Sequence, residues 1–157
     1  MGTIESTIAK MRGKKVYFDT NVLAYVFGNT PYFIEASLPF FDAIEQGLYT
    51  GFTGDITLGE LLVKPIMDND LSTSNRIKSF FDKVQTVSLI SHTREDFELM
   101  AQIRAQQKLK AIDAIQAATA IRSGCSVLVT GDKNMAQRAA GIETVNINQW
   151  VKLPPTI

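Results

Sequence analysis

Apolar and polar positions fall in short blocks whose period changes from strand-like to helix-like and back along the whole chain. Lys14 to Phe18 (KKVYF) is a compact β-branched and aromatic run and predicts a strand. Asp19, Thr20 and Asn21 follow at once, three residue types that cap helices, and Val22 to Phe27 continues apolar, so strand, cap and helix are expected in succession. The step recurs. Ser37 to Gln46 is amphipathic and stops at Gly47, Tyr49 to Thr53 is strand-like, and Thr57 onward is helical until Pro65, which is expected to bend or end it. Leu71 to Val84 and Arg94 to Lys108 carry helical spacing on either side of a third strand at Thr86 to Ile90. Asp113 to Arg122 predicts a helix ending at Gly124. Ser126 to Thr130 (SVLVT) has the apolar core of a strand buried on both faces, and Gly131-Asp132, a short helix to Ala140 and a last strand around Thr144 to Ile147 complete the pattern. Strands alternating with helices predict an α/β protein whose mostly parallel sheet is covered on both faces.

The length of 157 residues suits one domain, and no repeat, low-complexity tract or Pro/Gly/Ser-rich linker divides it. We expect an extension at 1–13, the main domain at 14–150 and a tail at 151–157. One Cys and one His exclude a disulfide framework and a Cys/His zinc site. A Cys125–His92 nucleophile pair is disfavoured, since His92 sits in a Ser-His-Thr turn and Cys125 at the entry of a buried strand, on opposite edges of the sheet. No apolar run approaches the roughly 18 residues of a membrane span, and Met1 to Lys15 has no apolar leader core, so cytoplasm is the expected address. Sixteen Lys+Arg balance sixteen Asp+Glu. A neutral chain does not coat nucleic acid indiscriminately; any such ligand needs a local attraction.

Ligands of open parallel sheets bind beyond the carboxyl ends of the strands, where helix N-termini also point. Four acids are expected there: Asp19 after the first strand, Glu60 in the first turn after the second, Asp113 opening the late helix, and Asp132 after SVLVT. Each has a purely structural explanation. Thr57-Leu58-Gly59-Glu60 fits a capping box, Asp113 to Gln116 a looser version, and Asp19 and Asp132 are plausible N-caps. Together they are harder to explain so, because two unit charges about 4 Å apart at an effective dielectric of roughly 20 repel by about 4 kcal/mol. A divalent cation resolves the conflict, and all-oxygen ligands suit Mg²⁺ or Mn²⁺. Such a site draws phosphodiesters to a neutral protein and activates water without a histidine.

VYFDTNVLAYVF with Asp19, ITLGELL with Glu60, AIDAIQAATAI with Asp113 and VLVTGDKNM with Asp132 resemble, in order and spacing, the PIN-domain ribonucleases, and among them the VapC-like toxins of type II toxin-antitoxin pairs. The resemblance runs from about Lys14 to Ile147. It implies a three-layer α/β/α sandwich with a parallel five-stranded sheet, a Mg²⁺ or Mn²⁺ site at the four acids, and endonucleolytic cleavage of RNA leaving a 5′ phosphate. It also implies polar support from Thr20, Asn21 and Thr130. Asn134 and Met135 stand where many members carry another acid and an aromatic.

Lys108 and Lys110, just before Asp113, are candidate contacts for RNA phosphates. Lys10, Arg12, Lys14 and Lys15 precede the first strand, on the opposite edge. Asp55 reads as a turn residue, and Trp150 as closing the core. The alternatives are a PIN-fold ribonuclease outside toxin-antitoxin systems, a non-catalytic PIN-fold module binding RNA or protein, and a phosphorelay receiver. The receiver is disfavoured because it needs an acid doublet after the first strand, where Asp-Thr stands. A toxin must be restrained, so a cognate antitoxin is the expected partner, lying over the helices around Asn21 to Phe41. There Phe27, Tyr32, Phe33, Phe40 and Phe41 crowd a short stretch; packing on the sheet or on a second copy of the chain explains them equally well.

Overall fold

The five strands, β1 (Lys15–Phe18), β2 (Thr50–Gly54), β3 (Val87–Ile90), β4 (Val127–Thr130) and β5 (Glu143–Asn146), form one sheet in the order β3-β2-β1-β4-β5, every pair parallel. This computed structural model describes residues 2–156. Period-two alternation decides which face each side chain serves. On β1, Val16 and Phe18 enter one core with Leu23, Phe40, Leu61 and Ile77, whereas Tyr17 between them enters the other with Leu128, Ala117 and Met135. Helices α1 (Ile4–Lys10), α2 (Thr20–Phe27), α3 (Phe33–Glu45), α4 (Asp55–Met67) and α5 (Leu71–Ser79) contribute to the first core; α6 (Arg94–Gln107), α7 (Ala111–Arg122) and α8 (Lys133–Arg138) contribute to the second. The result is a three-layer α/β/α sandwich. Its chain builds outward from β1 to β2 and β3, then returns to the other side of β1 for β4 and β5. The topological switch point therefore lies between the carboxyl ends of β1 and β4.

Several boundaries differ from expectation for identifiable reasons. Pro65 does not end α4, which runs on to Met67 with the proline ring buried inside it. The same helix begins at Asp55, so that residue opens a helix instead of making a turn, and Thr57 lies inside the helix where it cannot cap it. The stretch expected as one helix from Leu71 to Val84 is α5 followed by a π-helical turn, Phe80–Val84. Before β1, Thr3 caps α1 by accepting from the Ser6 amide at 3.0 Å, and Ile8 and Met11 enter the first core. Trp150 packs on Phe40 with ring centroids 5.9 Å apart and donates its indole N–H to the Gly2 carbonyl at 3.0 Å. The aromatic crowd is largely absorbed by the core: Phe40 and Phe41 are buried, Phe41 against Phe18, and Phe33 rests on Tyr25. Of those five rings only Tyr32 is exposed, which removes the reason for reading a docking surface there. Exposed large apolar side chains lie instead on α4 and the start of α5, at Val63, Ile66, Met67 and Leu71. No described helix is long and apolar enough to cross a membrane.

Candidate metal centre at the carboxyl edge of the sheet

Asp19 is the first residue beyond β1, and its backbone is still tied to the sheet by an amide donating to the Val129 carbonyl at 2.9 Å. It caps α2, with Oδ1 accepting from the Thr20 amide at 2.7 Å. Oδ2 accepts from the Thr130 hydroxyl at 2.8 Å and from the Asn21 amide at 3.3 Å. The carboxyl is only 4% exposed. Burial raises its pKa to about 7; the Thr130 and Thr20 bonds oppose the rise, and the Asp113 and Glu60 carboxylates add to it. A polar cradle is thus built around a charge that the surroundings do not neutralise.

The other three acids reach the same edge from different elements. Glu60, on the second turn of α4, accepts the Thr20 hydroxyl at Oε1 over 2.6 Å. Asp113 sits in the first turn of α7, whose N-cap is Lys110, and makes no cap of its own. Its pKa is raised by burial and then by Asp132, with Lys110 opposing and Glu60 adding. Asp132 caps α8, accepting from the Met135 amide at 2.9 Å, while its own amide donates to Thr130 Oγ1 at 3.0 Å. Asn21 Oδ1 accepts from the Gly131 amide at 2.8 Å and ties the β1 and β4 ends together. Capping therefore accounts for Asp19 and Asp132 and leaves Glu60 and Asp113 unexplained.

The four acids act on one another, yet among the described residues no three Asp, Glu, His or Cys side chains stand close enough to form a ligand cage. Nor, among those residues, does any Lys or Arg make an ion pair with one of the four. The donor chemistry fits a hard divalent cation: carboxylate oxygens only, mutual repulsion, and hydroxyl and amide donors to hold them. Lys110 faces Asp113 closely enough to lower its pKa, and Lys108 is exposed at the left-handed turn (φ 58°) that ends α6. A cleft of about 280 Å³ between α2 and α4–α5 opens beside Glu60, lined by Thr20, Ala24, Phe27, Glu60, Lys64 and Asp70 among others.

Below the acids lies a network that pattern reading passed over. Gln116, 0% exposed on α7, accepts the Tyr17 hydroxyl and donates to Thr20 Oγ1 at 2.8 Å and Thr57 Oγ1 at 3.2 Å. The available signal was a polar residue in the middle of AIDAIQAATAI: on a buried helix it must find partners. His92 belongs to a separate network. Its Nε2 accepts from the Ile56 amide at 3.2 Å, so in the neutral ring Nδ1 carries the proton and donates to Thr119 Oγ1 at 2.6 Å. Gly54 makes room for this, since a Cβ there would stand 2.6 Å from both His92 Nε2 and the Tyr17 hydroxyl. Cys125 is buried beside Ser123 just before β4, at the other end of the strands from His92, and burial pushes its thiol up. Lys15, in the basic stretch, donates to the Ser123 carbonyl at 2.6 Å and lies over Phe52, at the edge away from the acids.

Fold and site together define an α/β protein with four acids gathered at the carboxyl edge of a parallel sheet, around its switch point. The family model described as the PIN domain matches residues 16–141, and the chain belongs to that family. PIN domains are a nuclease family, which supports hydrolase activity here. Similar solved structures include VapBC2 from Rickettsia felis bound to a promoter DNA fragment (15% identity, 84% of this chain and 98% of that one, TM-score 0.69). FitAcB from Neisseria gonorrhoeae matches at 20% identity over 84% and 97% (TM-score 0.64), and DNA-bound VapBC from Salmonella typhimurium at 20% over 85% and 98% (TM-score 0.62). At these identities the likeness establishes the fold. Among curated proteins, none matches the sequence.

Proposed function

We propose that the chain is a Mg²⁺- or Mn²⁺-dependent endoribonuclease, a VapC-like toxin working in the cytoplasm, with Asp19, Glu60, Asp113 and Asp132 as metal-holding and catalytic residues. The observation that carries this is the state of Asp19: almost fully buried, held by four donors, and acted on by the Asp113 and Glu60 carboxylates, which add to the rise in its pKa. Retaining so costly an arrangement is expected only where a cation is used. When bound, the divalent ion supplies a water of lowered pKa and neutralises charge on the phosphate. The chain's own residues do the rest. Thr130 and the Thr20 amide fix both oxygens of Asp19, Thr20 Oγ1 fixes Glu60, and Asn21 locks β1 to β4 so that Asp19 and Asp132 keep their spacing. Lys110, with Lys108 beside it, supplies positive charge to RNA phosphates approaching Asp113.

RNA is assigned from the likeness to VapC-like chains. A cognate antitoxin is assigned from the likeness to VapBC2, FitAcB and VapBC. The cleft beside Glu60 and the exposed apolar side chains of α4 and α5 give such a partner both a groove and an apolar surface. The test is cleavage of single-stranded RNA by purified protein with Mg²⁺ or Mn²⁺. Activity abolished by chelator and restored by metal is the expected result; chelator-resistant cleavage, or none with either metal, overturns the proposal. Co-expression with the adjacent gene tests the partner. A stable complex and relief of growth inhibition support the toxin role, whereas neither would move the chain to a ribonuclease outside toxin-antitoxin systems.

A further inference from the structure

Three of the four elements that carry the acids meet at one side-chain amide. Gln116 of α7, fully buried, reaches Thr20 at the start of α2 and Thr57 of α4, and stands 3.5 Å from Asp19 Oδ1 through Nε2. The shortest contacts of its neighbours agree on one assignment of protons, which leaves the 3.5 Å approach of Thr57 Oγ1 to Gln116 Oε1 without one. The Tyr17 phenol donates to Gln116 Oε1, which turns Nε2 toward the threonines. Thr53 spends its hydroxyl proton on the Phe18 carbonyl at 2.8 Å, so in its 2.7 Å contact with Thr57 it must accept. Thr57 is then committed to Thr53. Thr20, receiving the Gln116 amide, has one proton left, and Glu60 Oε1 lies 2.6 Å away. The 2.9 Å contact between Thr20 and Thr57 has no proton of its own in this arrangement.

We infer that Gln116 is a positioning residue for the acid site: it makes Thr20 a one-way donor to Glu60 and so holds the Glu60 carboxylate toward Asp19 and Asp113. The inference rests on the metal-site reading above and adds a residue to it. Leu at position 116 would keep roughly the same volume and remove the amide. Thr20 is then released to turn its proton toward Thr57, and Glu60 loses its fixed donor. Supporting side chains of this kind typically change metal affinity by about 10- to 100-fold when removed. A Gln that merely filled the core would leave affinity alone.

The test is Mn²⁺ affinity, read by calorimetry and by electron paramagnetic resonance of free Mn²⁺, on wild type, Gln116→Leu, Thr20→Val and the double variant. Each single change is expected to weaken Mn²⁺ binding by about tenfold or more. The double variant is expected to bind no worse than Thr20→Val, because both act through one hydrogen bond to Glu60. Gln116→Leu leaves the Tyr17 hydroxyl without a partner and so endangers folding. Tyr17→Phe/Gln116→Leu removes both polar groups together, and the same loss of Mn²⁺ affinity is expected from it. Wild-type affinity in either Gln116 variant, or losses that simply add in the double variant, would overturn the inference while leaving the metal site standing. Failure of the wild-type chain to bind Mn²⁺ overturns the site reading and this inference with it.

Discussion

Asp19 and Asp96 are each 4% exposed, and each serves the start of a helix. Asp96 forms a reciprocal capping box with Thr93, accepts the Thr119 hydroxyl at 3.1 Å and has the Arg122 guanidinium 3.6 Å from Oδ1. Asp19 accepts more hydrogen bonds, four against two, but among the described residues it makes no ion pair with a Lys or Arg; the Asp113 and Glu60 carboxylates act on it instead. Burial and capping are thus shared by a structural acid and a candidate functional one. The countercharge separates them. Asp96 is paired within the chain, whereas Asp19 has no cationic partner among the described residues.

That contrast breaks first at activity. Asp19→Asn keeps shape and capping capacity while removing the charge, so RNA cleavage should fall by orders of magnitude with the fold intact. Steady-state rates and a thermal melt of the same preparation check it; full activity in the variant would place Asp19 with Asp96 as a structural cap. Asp96→Ala should do the reverse. Loss of the capping box and of a partly exposed ion pair should cost roughly 2 to 4 kcal/mol of stability, with Mn²⁺ affinity of the folded protein unchanged. Denaturant titration and calorimetry separate the two effects. Asp113→Asn sharpens the comparison from the metal side: the metal-free protein should be as stable as wild type or more so, and the added stability that Mn²⁺ gives wild type should vanish. Strong destabilisation of the metal-free form would instead assign Asp113 to the fold.

The smallest expected effect concerns His92, which lies in the Asp96 network. Burial lowers its pKa, with Asp55 and Asp96 opposing. The folded value therefore lies below the ordinary one near 6.5, so protonation favours the unfolded chain. The stabilisation from neutral His92 is complete above pH 6.5 and is lost as pH falls through its folded value. His92→Gln should flatten this part of the acid limb of the stability curve; an unchanged slope would assign the limb to other groups.

Sequence pattern carried the fold far because β1 and β4, the central strands, are short apolar runs followed by a cap or a glycine, a signal that needs no tertiary information. Boundaries failed where tertiary packing overrode local preference. Pro65 is tolerated because its ring has a buried place inside α4, and Thr57, which fitted a capping box by pattern, lies buried within that helix. Asp19 and Asp132 were legible because each follows a strand, and Asp113 because it opens a helix; Glu60 lies one turn further along its helix than the pattern placed it. Gln116, Thr53 and Thr57 were not, since their partners lie 35 to 99 positions away in sequence or across the junction from β2 to α4, and only the fold supplies that neighbourhood. The five aromatics misled in the other direction: crowding in sequence does not reveal that Phe18 and Trp150 are waiting to pack on Phe41 and Phe40.

The central claim is that the uncompensated acids form a single cation site, and a crystal grown with Mn²⁺ and measured at the manganese absorption edge tests it most directly. An anomalous peak within coordination distance of Asp19 and at least one of Glu60, Asp113 and Asp132, absent in Asp19→Asn, is the predicted result. Ordered carboxylates with no peak among them at saturating Mn²⁺ would contradict it.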